Sequence, residues 1–104
     1  MERRQFPRKT VNLPVVCEAY HWPSSGISGK AVDISQGGVG LRLSKPLNRR
    51  GTVRVKISDR SSGIEIEAEG KIAWYKTIES GEGRIGIDFT KIAWTRLQEL
   101  LKRV

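Results

Sequence analysis

Residues 32–41 read Val-Asp-Ile-Ser-Gln-Gly-Gly-Val-Gly-Leu, a polar, glycine-rich turn between two apolar strand ends. The glycines permit positive φ and would let a ligand approach the backbone closely. Asp33 and Ser35 supply a carboxylate and a hydroxyl two residues apart, and on an extended segment these side chains share a face. The stretch therefore indicates either a binding turn or a plain hairpin in which Asp33 and Ser35 satisfy their own turn.

On both sides of this turn, apolar and polar residues alternate with the period of two that is typical of half-buried strands. Polar turns, most of them containing glycine, separate six such segments: residues 11–20, 30–34, 39–43, 53–57, 64–74 and 84–89. In the fifth segment, strict alternation assigns Ile72 and Trp74 to the same apolar face.

From Thr90 the apolar period lengthens to about 3.6 residues, which predicts a terminal amphipathic helix with Leu97 and Leu100 on its apolar stripe. Thr90 is the expected N-cap. Six short antiparallel strands followed by one helix predict an all-β fold with a terminal helix. The expected architecture is a six-stranded Greek-key β-barrel whose open end the C-terminal helix covers.

The chain has 104 residues, enough for a single core, and it carries a net charge of +8. This charge implies an anionic partner. Residues 1–10 hold four of the positive charges, have no apolar periodicity and contain Pro7. They are predicted to form a flexible N-terminal arginine arm, while residues 11–104 form the barrel.

Several function classes find no support in the sequence. No nucleophile has a nearby base, no histidines and cysteines have metal-ligand spacing, and no phosphate loop precedes a helix. We therefore expect no enzyme activity, no catalytic residue, no metal and no cofactor. The single cysteine, Cys17, falls on an apolar strand face and is expected in the core. Without an apolar leader or membrane span, the expected location is the cytoplasm, with no membrane insertion.

Arg4 and Arg8 lie four residues apart in the arm. Their planar guanidinium groups can bind a phosphate, or the O6/N7 edge of a guanine, through paired hydrogen bonds. Together with residues 33–38, they resemble the RxxxR and (D/N)xSxxG signatures of the PilZ domain family, in the same order and at matching spacing. Residues 84–89 also resemble the glycine- and phenylalanine-containing strand that ends the barrel of that family.

The resemblance implies a bacterial receptor for the second messenger cyclic di-GMP. It carries the ligand-binding role onto seven positions: Arg3, Arg4, Arg8, Asp33, Ser35, Gly37 and Gly38. The motif arginines would hold phosphates and guanine edges, and Asp33 would accept hydrogen bonds from guanine N–H groups. An arginine at the position of Arg3 implies binding of an intercalated ligand dimer.

Two other functions remain open from the sequence. The first is a basic β-barrel that binds single-stranded nucleic acid, which the net charge of +8 would also suit. It is disfavoured because the positive cluster lies on the arm, and nucleic acid is not the expected partner. The second is a PilZ-fold module that binds a protein without any ligand. The expected function remains a cyclic di-GMP receptor in which ligand binding reorders the N-terminal arm.

Overall fold

The computed structural model describes residues 7–19, 26–47 and 50–104. These residues form strands β1 (Lys9–Glu18), β2 (Ile27–Ile34), β3 (Gly38–Leu43), β4 (Thr52–Asp59), β5 (Ile64–Thr77) and β6 (Gly83–Ile92), followed by helix α1 (Trp94–Arg103). The predicted number, type and order of the elements are confirmed.

The strands close into an antiparallel barrel with the order β1-β2-β3-β6-β5-β4. β3 pairs with β6 instead of with β4, its successor in the chain. Strands β4, β5 and β6 form a three-stranded meander, and β3 lies beside its last strand, which is the Greek-key arrangement. Closure leaves no open sheet edge among the six described strands, and the predicted all-β fold with one terminal helix is confirmed.

The barrel interior is filled by the apolar positions of the alternating strands. Every strand contributes to this core, and α1 adds Leu97 and Leu100. Cys17 is a core residue as expected, with no solvent-exposed surface. Burial, with a smaller contribution from the charge of Glu18, raises the pKa of the Cys17 thiol to about 12. The thiol is therefore neutral at physiological pH and packs as a small apolar side chain.

The expected start of the helix at Thr90 is wrong. β6 continues to Ile92, and α1 begins at Trp94 after Ala93, which makes no side-chain capping hydrogen bond. The reason lies in β5, whose Ala68 pairs with Ile92 and so extends the ladder past Thr90. Within the described parts of the chain, no helix has the length and apolar character needed to cross a lipid bilayer.

The first strand begins at Lys9, two residues before the expected start at Val11. Lys9 pairs with Ile34, and its side-chain nitrogen donates hydrogen bonds to the carbonyls of Leu101 and Val104 at the end of α1. Lys9 and Thr10, which the sequence predicts as part of the arm, therefore belong to the barrel. Residues 1–6 of the predicted arm lie outside the described residues.

Candidate functional site

A β-bulge in β2 turns Asp33 toward solvent. Ala31 pairs with Leu41 and Asp33 pairs with Gly40, so β2 has one extra residue, Val32, at this point. Strict alternation would have directed positions 31 and 33 to the same face, yet Ala31 is fully buried whereas the Asp33 side chain is 30% exposed. Bulges commonly redirect a side chain in this way beside functional sites.

The carboxylate of Asp33 lies against Arg8, which is distant in sequence, and against Gly40 on the neighbouring strand β3. Arg8 donates a hydrogen bond from Nη1 to Asp33 Oδ1, and both side chains are only partly exposed. The second carboxylate oxygen lies over Gly40, where an added β-carbon would be 2.7 Å from Asp33 Oδ2. Gly40 therefore provides the space that the carboxylate occupies, and the fold joins residues of the two sequence motifs.

Ser35 stabilises the turn that follows Asp33. It is 4% exposed, and its backbone N–H donates to the Gly38 carbonyl at 2.9 Å. Its Oγ accepts a hydrogen bond from the Gly37 N–H at 3.1 Å. Ser35 thus makes the contacts expected of a plain hairpin and does not share an exposed face with Asp33.

The glycines of this turn do not have the expected positive φ. Among the described residues, positive φ occurs at Gly26, Gly51, Gly63 and Gly81. Gly38 is required for a different reason, because a β-carbon there would overlap the carbonyl oxygen of Ile87 on β6. Gly37 also binds β6, since its carbonyl accepts a hydrogen bond from the Phe89 N–H at 3.0 Å. Gly38 therefore allows the turn to pack closely against β6, and the backbone hydrogen bond of Gly37 joins the turn to the same strand.

Trp74 lies on the outer surface and not on the apolar face predicted from alternation. Ile72 pairs with Ile87 and Trp74 pairs with Gly86, so Ala73 is an extra residue in β5. This second bulge leaves Ile72 in the core and turns Trp74 outward, where it is 41% exposed. The indole lies directly over Gly86, as shown by the overlap that a β-carbon on Gly86 would have with the indole nitrogen.

The two redirected side chains belong to one row that crosses four neighbouring strands. Asp33 pairs with Gly40, Gly40 with Gly86, and Gly86 with Trp74. We call this row, Asp33, Gly40, Gly86 and Trp74, the glycine groove. It spans three inter-strand spacings, about 14 Å. The carboxylate covers Gly40 and the indole covers Gly86, so the two glycines provide the space in which these side chains lie against the sheet.

A family model of the PilZ domain matches residues 2–103. The chain belongs to the PilZ domain family. The prediction of the family from residues 4–8 and 33–38 is therefore confirmed. PilZ domains are ligand-binding receptor domains rather than enzymes, and no catalytic family is indicated for this chain. No curated protein matches the chain.

Two solved structures share the fold. The inhibitor of motility (MotI/DgrA) of Bacillus subtilis superposes with a TM-score of 0.78 at 23% identity, covering 99% of this chain and 50% of that one. This chain therefore spans half the length of the Bacillus protein. The PilZ domain of YcgR from Escherichia coli, solved with cyclic di-GMP, superposes with a TM-score of 0.76 at 13% identity, covering 99% and 89% of the two chains.

The structure brings together some of the residues expected from the sequence. Arg8 and Asp33 are in contact, and Ser35, Gly37 and Gly38 form the adjoining turn. Arg3 and Arg4 lie outside the described residues. Gly86 and Trp74 were not expected at the site. The sequence contains one signal for them. Gly86 lies between two apolar residues in the run Ile-Gly-Ile at 85–87, and a glycine at an outward position leaves room for a neighbouring aromatic ring.

Replacing Asp33 with alanine should lower the free energy of unfolding by less than about 1 kcal/mol, since partly exposed ion pairs contribute little. Leu41→Ala is the contrasting control, because it empties a fully buried core position and should cost about 2–5 kcal/mol. Urea denaturation followed by circular dichroism measures both values. A loss of more than about 2 kcal/mol for Asp33→Ala would show that the carboxylate mainly supports the fold.

Proposed function

We propose that this PilZ domain is a receptor for cyclic di-GMP, which binds at the glycine groove and at the neighbouring Arg8. The observation that carries the proposal is the contact between Arg8 and Asp33, one residue from each family motif, at the edge of the groove. The ligand contains two guanines and two phosphodiesters. A site for it therefore needs a carboxylate acceptor, arginine donors and a surface for planar bases.

Asp33 suits the recognition of guanine. Its carboxylate can accept hydrogen bonds from the N1–H and N2–H groups, a pair of donors that distinguishes guanine from the other bases. Without ligand, Arg8 holds one of the carboxylate oxygens. On binding, we expect the guanine to take over that acceptor while the guanidinium turns to a phosphate or to the O6/N7 edge. The Nε of Arg8 is buried and has no hydrogen-bond partner among the described residues, which leaves a donor for the ligand.

Trp74 supplies the aromatic side of the site. Its indole is exposed beside Gly86, and base stacking on an aromatic side chain is worth about 1–3 kcal/mol. One guanine would pair with Asp33 while a base lies against the indole. Ser35 would donate its hydroxyl proton to a phosphate or guanine edge, and Gly37 would let the nucleotide approach the turn, whereas Gly38 would act indirectly by keeping the turn packed against β6.

The arm completes the proposed mechanism. Arg4 would bind the ligand together with Arg8, and Arg3 would contact a second ligand molecule of an intercalated dimer. The arm lacks apolar residues other than Phe6 and the terminal Met1, so it cannot offset its ordering entropy by burial. An anionic ligand that contacts both arm and barrel would order the arm and transmit binding to an attached or docked partner. We place the protein in the bacterial cytoplasm, where it would respond to this second messenger.

A second candidate ligand is single-stranded nucleic acid. The observation in its favour is the exposed pair Trp74 and Tyr75, with the Arg50 guanidinium 6.0 Å from the centre of the Tyr75 ring. Stacked aromatic and cationic side chains bind single strands without sequence preference. Titration with a guanine-free oligonucleotide separates the two functions. Only a function in nucleic-acid binding predicts that such an oligonucleotide binds, because it does so without a contact to Asp33.

The variants Arg4→Ala, Arg8→Ala and Asp33→Ala should each weaken cyclic di-GMP binding by more than about tenfold, since charge-assisted hydrogen bonds contribute ~1.5–3 kcal/mol. Trp74→Ala should weaken binding to a similar extent through lost stacking. Isothermal titration calorimetry measures the affinities, and Trp94→Ala, an exposed tryptophan on α1, is the matched control. Any folded site variant that binds within about a factor of two of wild type would remove that residue from the site.

The same titration should saturate at about two cyclic di-GMP molecules per domain, because the guanidinium of Arg3 can stack on a guanine and pair with a phosphate. Arg3→Leu should lower this ratio while leaving the first binding event in place. Saturation of the wild type at one ligand per domain would contradict the intercalated dimer without affecting the receptor function.

Backbone NMR relaxation should show residues 3–7 mobile without ligand and ordered at saturation. The physical reason is that the ligand supplies the contacts that the arm cannot make by itself. Relaxation rates for β3, which lies within the barrel, serve as the internal reference. Arm residues that are as rigid as β3 before ligand is added, or that stay mobile at saturation, would disprove the coupling.

A further inference from the structure

Four basic residues form a second row directly beside the glycine groove. Lys30 pairs with Arg42, Arg42 with Arg84, and Arg84 with Lys76, on the same four strands. We call this set, Lys30, Arg42, Arg84 and Lys76, the cation row. On β3, β6 and β5 each member lies two residues from the groove, and is therefore the next side chain on the same outer face.

The like charges of this row are unusual for this barrel. Directly opposed like charges destabilise a sheet, and opposite charges stabilise it. All other charged cross-strand pairs on the described outer surface are complementary: Glu18–Arg54, Arg54–Glu69, Lys56–Glu67, Glu69–Lys91 and Lys71–Asp88. The barrel thus balances its surface charges elsewhere and accumulates positive charge beside the groove.

Little within the described structure neutralises the cation row. Glu82 accepts hydrogen bonds from Arg42 at 2.8 and 3.1 Å, and this contact lowers the pKa of the Glu82 carboxyl. Arg84, in the middle of the row, has a buried Nε without a hydrogen-bond partner in the described ranges. Lys30 and Lys76 are exposed at the ends. The row therefore has a strong capacity to bind an anion, centred on Arg84.

The position of the row identifies the part of the ligand that it would meet. Residues two apart on one strand face are separated by about 6.5–7 Å, which lies within the reach of an arginine or lysine side chain. We propose that Arg84 and Lys76 bind a phosphodiester of the cyclic di-GMP whose bases lie against Asp33 and Trp74 of the glycine groove. This inference rests on the proposed function and extends the site beyond both sequence motifs.

The cation row also implies that Arg84 and Lys76 lower the stability of the fold while they favour binding of the ligand. Neutralising Arg84 or Lys76 removes a repulsive cross-strand pair, so the folded domain should be as stable as wild type or more stable. Binding should weaken in the same variants. A residue kept only for the fold would not show this combination.

The test uses Arg84→Gln and Lys76→Gln in the full chain, titrated with cyclic di-GMP by calorimetry at several salt concentrations. Lys56→Gln and Lys91→Gln are matched controls, because they make the same change of charge in complementary pairs on the same barrel. Both site variants should bind at least about fivefold more weakly and show a smaller salt dependence, while the controls stay within about a factor of two. Urea midpoints of the site variants should equal or exceed the wild-type value.

The outcomes separate this proposal from the function on which it rests. Wild-type protein that fails to bind cyclic di-GMP would overturn both. If wild-type protein binds and Arg84→Gln and Lys76→Gln bind with the same affinity, the phosphate role alone is overturned. An equal loss of affinity in the two control variants would also overturn it, because the effect would then come from net charge only. If Arg84→Gln fails to fold, two other variants decide the phosphate role. Arg84→Lys keeps the charge and should keep binding, whereas the exposed Lys76→Gln should weaken it.

Discussion

The pairing of β3 with β6 is the contact on which both faces of this barrel depend. It aligns Gly38 with Asp88, Gly40 with Gly86 and Arg42 with Arg84, while the intervening residues of both strands are buried in the core. Burial of these apolar residues determines the register, because a shift by one residue would turn the apolar set outward. The same register places two glycines side by side outside and two arginines next to them. The core thus determines where the candidate site lies.

The contact between Arg8 and Asp33 joins the beginning of the chain to this surface. Lys9, the next residue, binds carbonyls at the end of α1. The entry to β1 is therefore held by its pairing with β2 and by two polar contacts at the surface, and surface contacts of this kind contribute about 1 kcal/mol or less. Interactions of that size are readily replaced by those of a doubly charged ligand. Under the proposed function, Arg8 would therefore respond to the ligand, while the buried residues of β1 stay in the core.

Charge is distributed on the barrel in two different ways. On β4 and β5 the outer residues alternate in sign across the strands and form ion pairs such as Lys56 with Glu67 at 3.8 Å. On the groove side, positive residues stand opposite one another, with Glu82 bound to Arg42. The first arrangement favours the fold, whereas the second favours an anionic partner. Part of the net charge of +8 is therefore concentrated beside the glycine groove.

The sequence by itself determined the order of six strands and a helix, because alternation and turn residues are local signals, and its two motifs determined the family. It did not reveal that β6 extends past Thr90, since that depends on pairing with Ala68 of β5. Nor did it reveal the bulges at Val32 and Ala73, which turn Asp33 and Trp74 outward. An extra residue in a strand is defined only against its partner strand. The glycine groove and the cation row therefore exist only in the tertiary structure, where long-range pairing brings residues from four strands into adjacent rows.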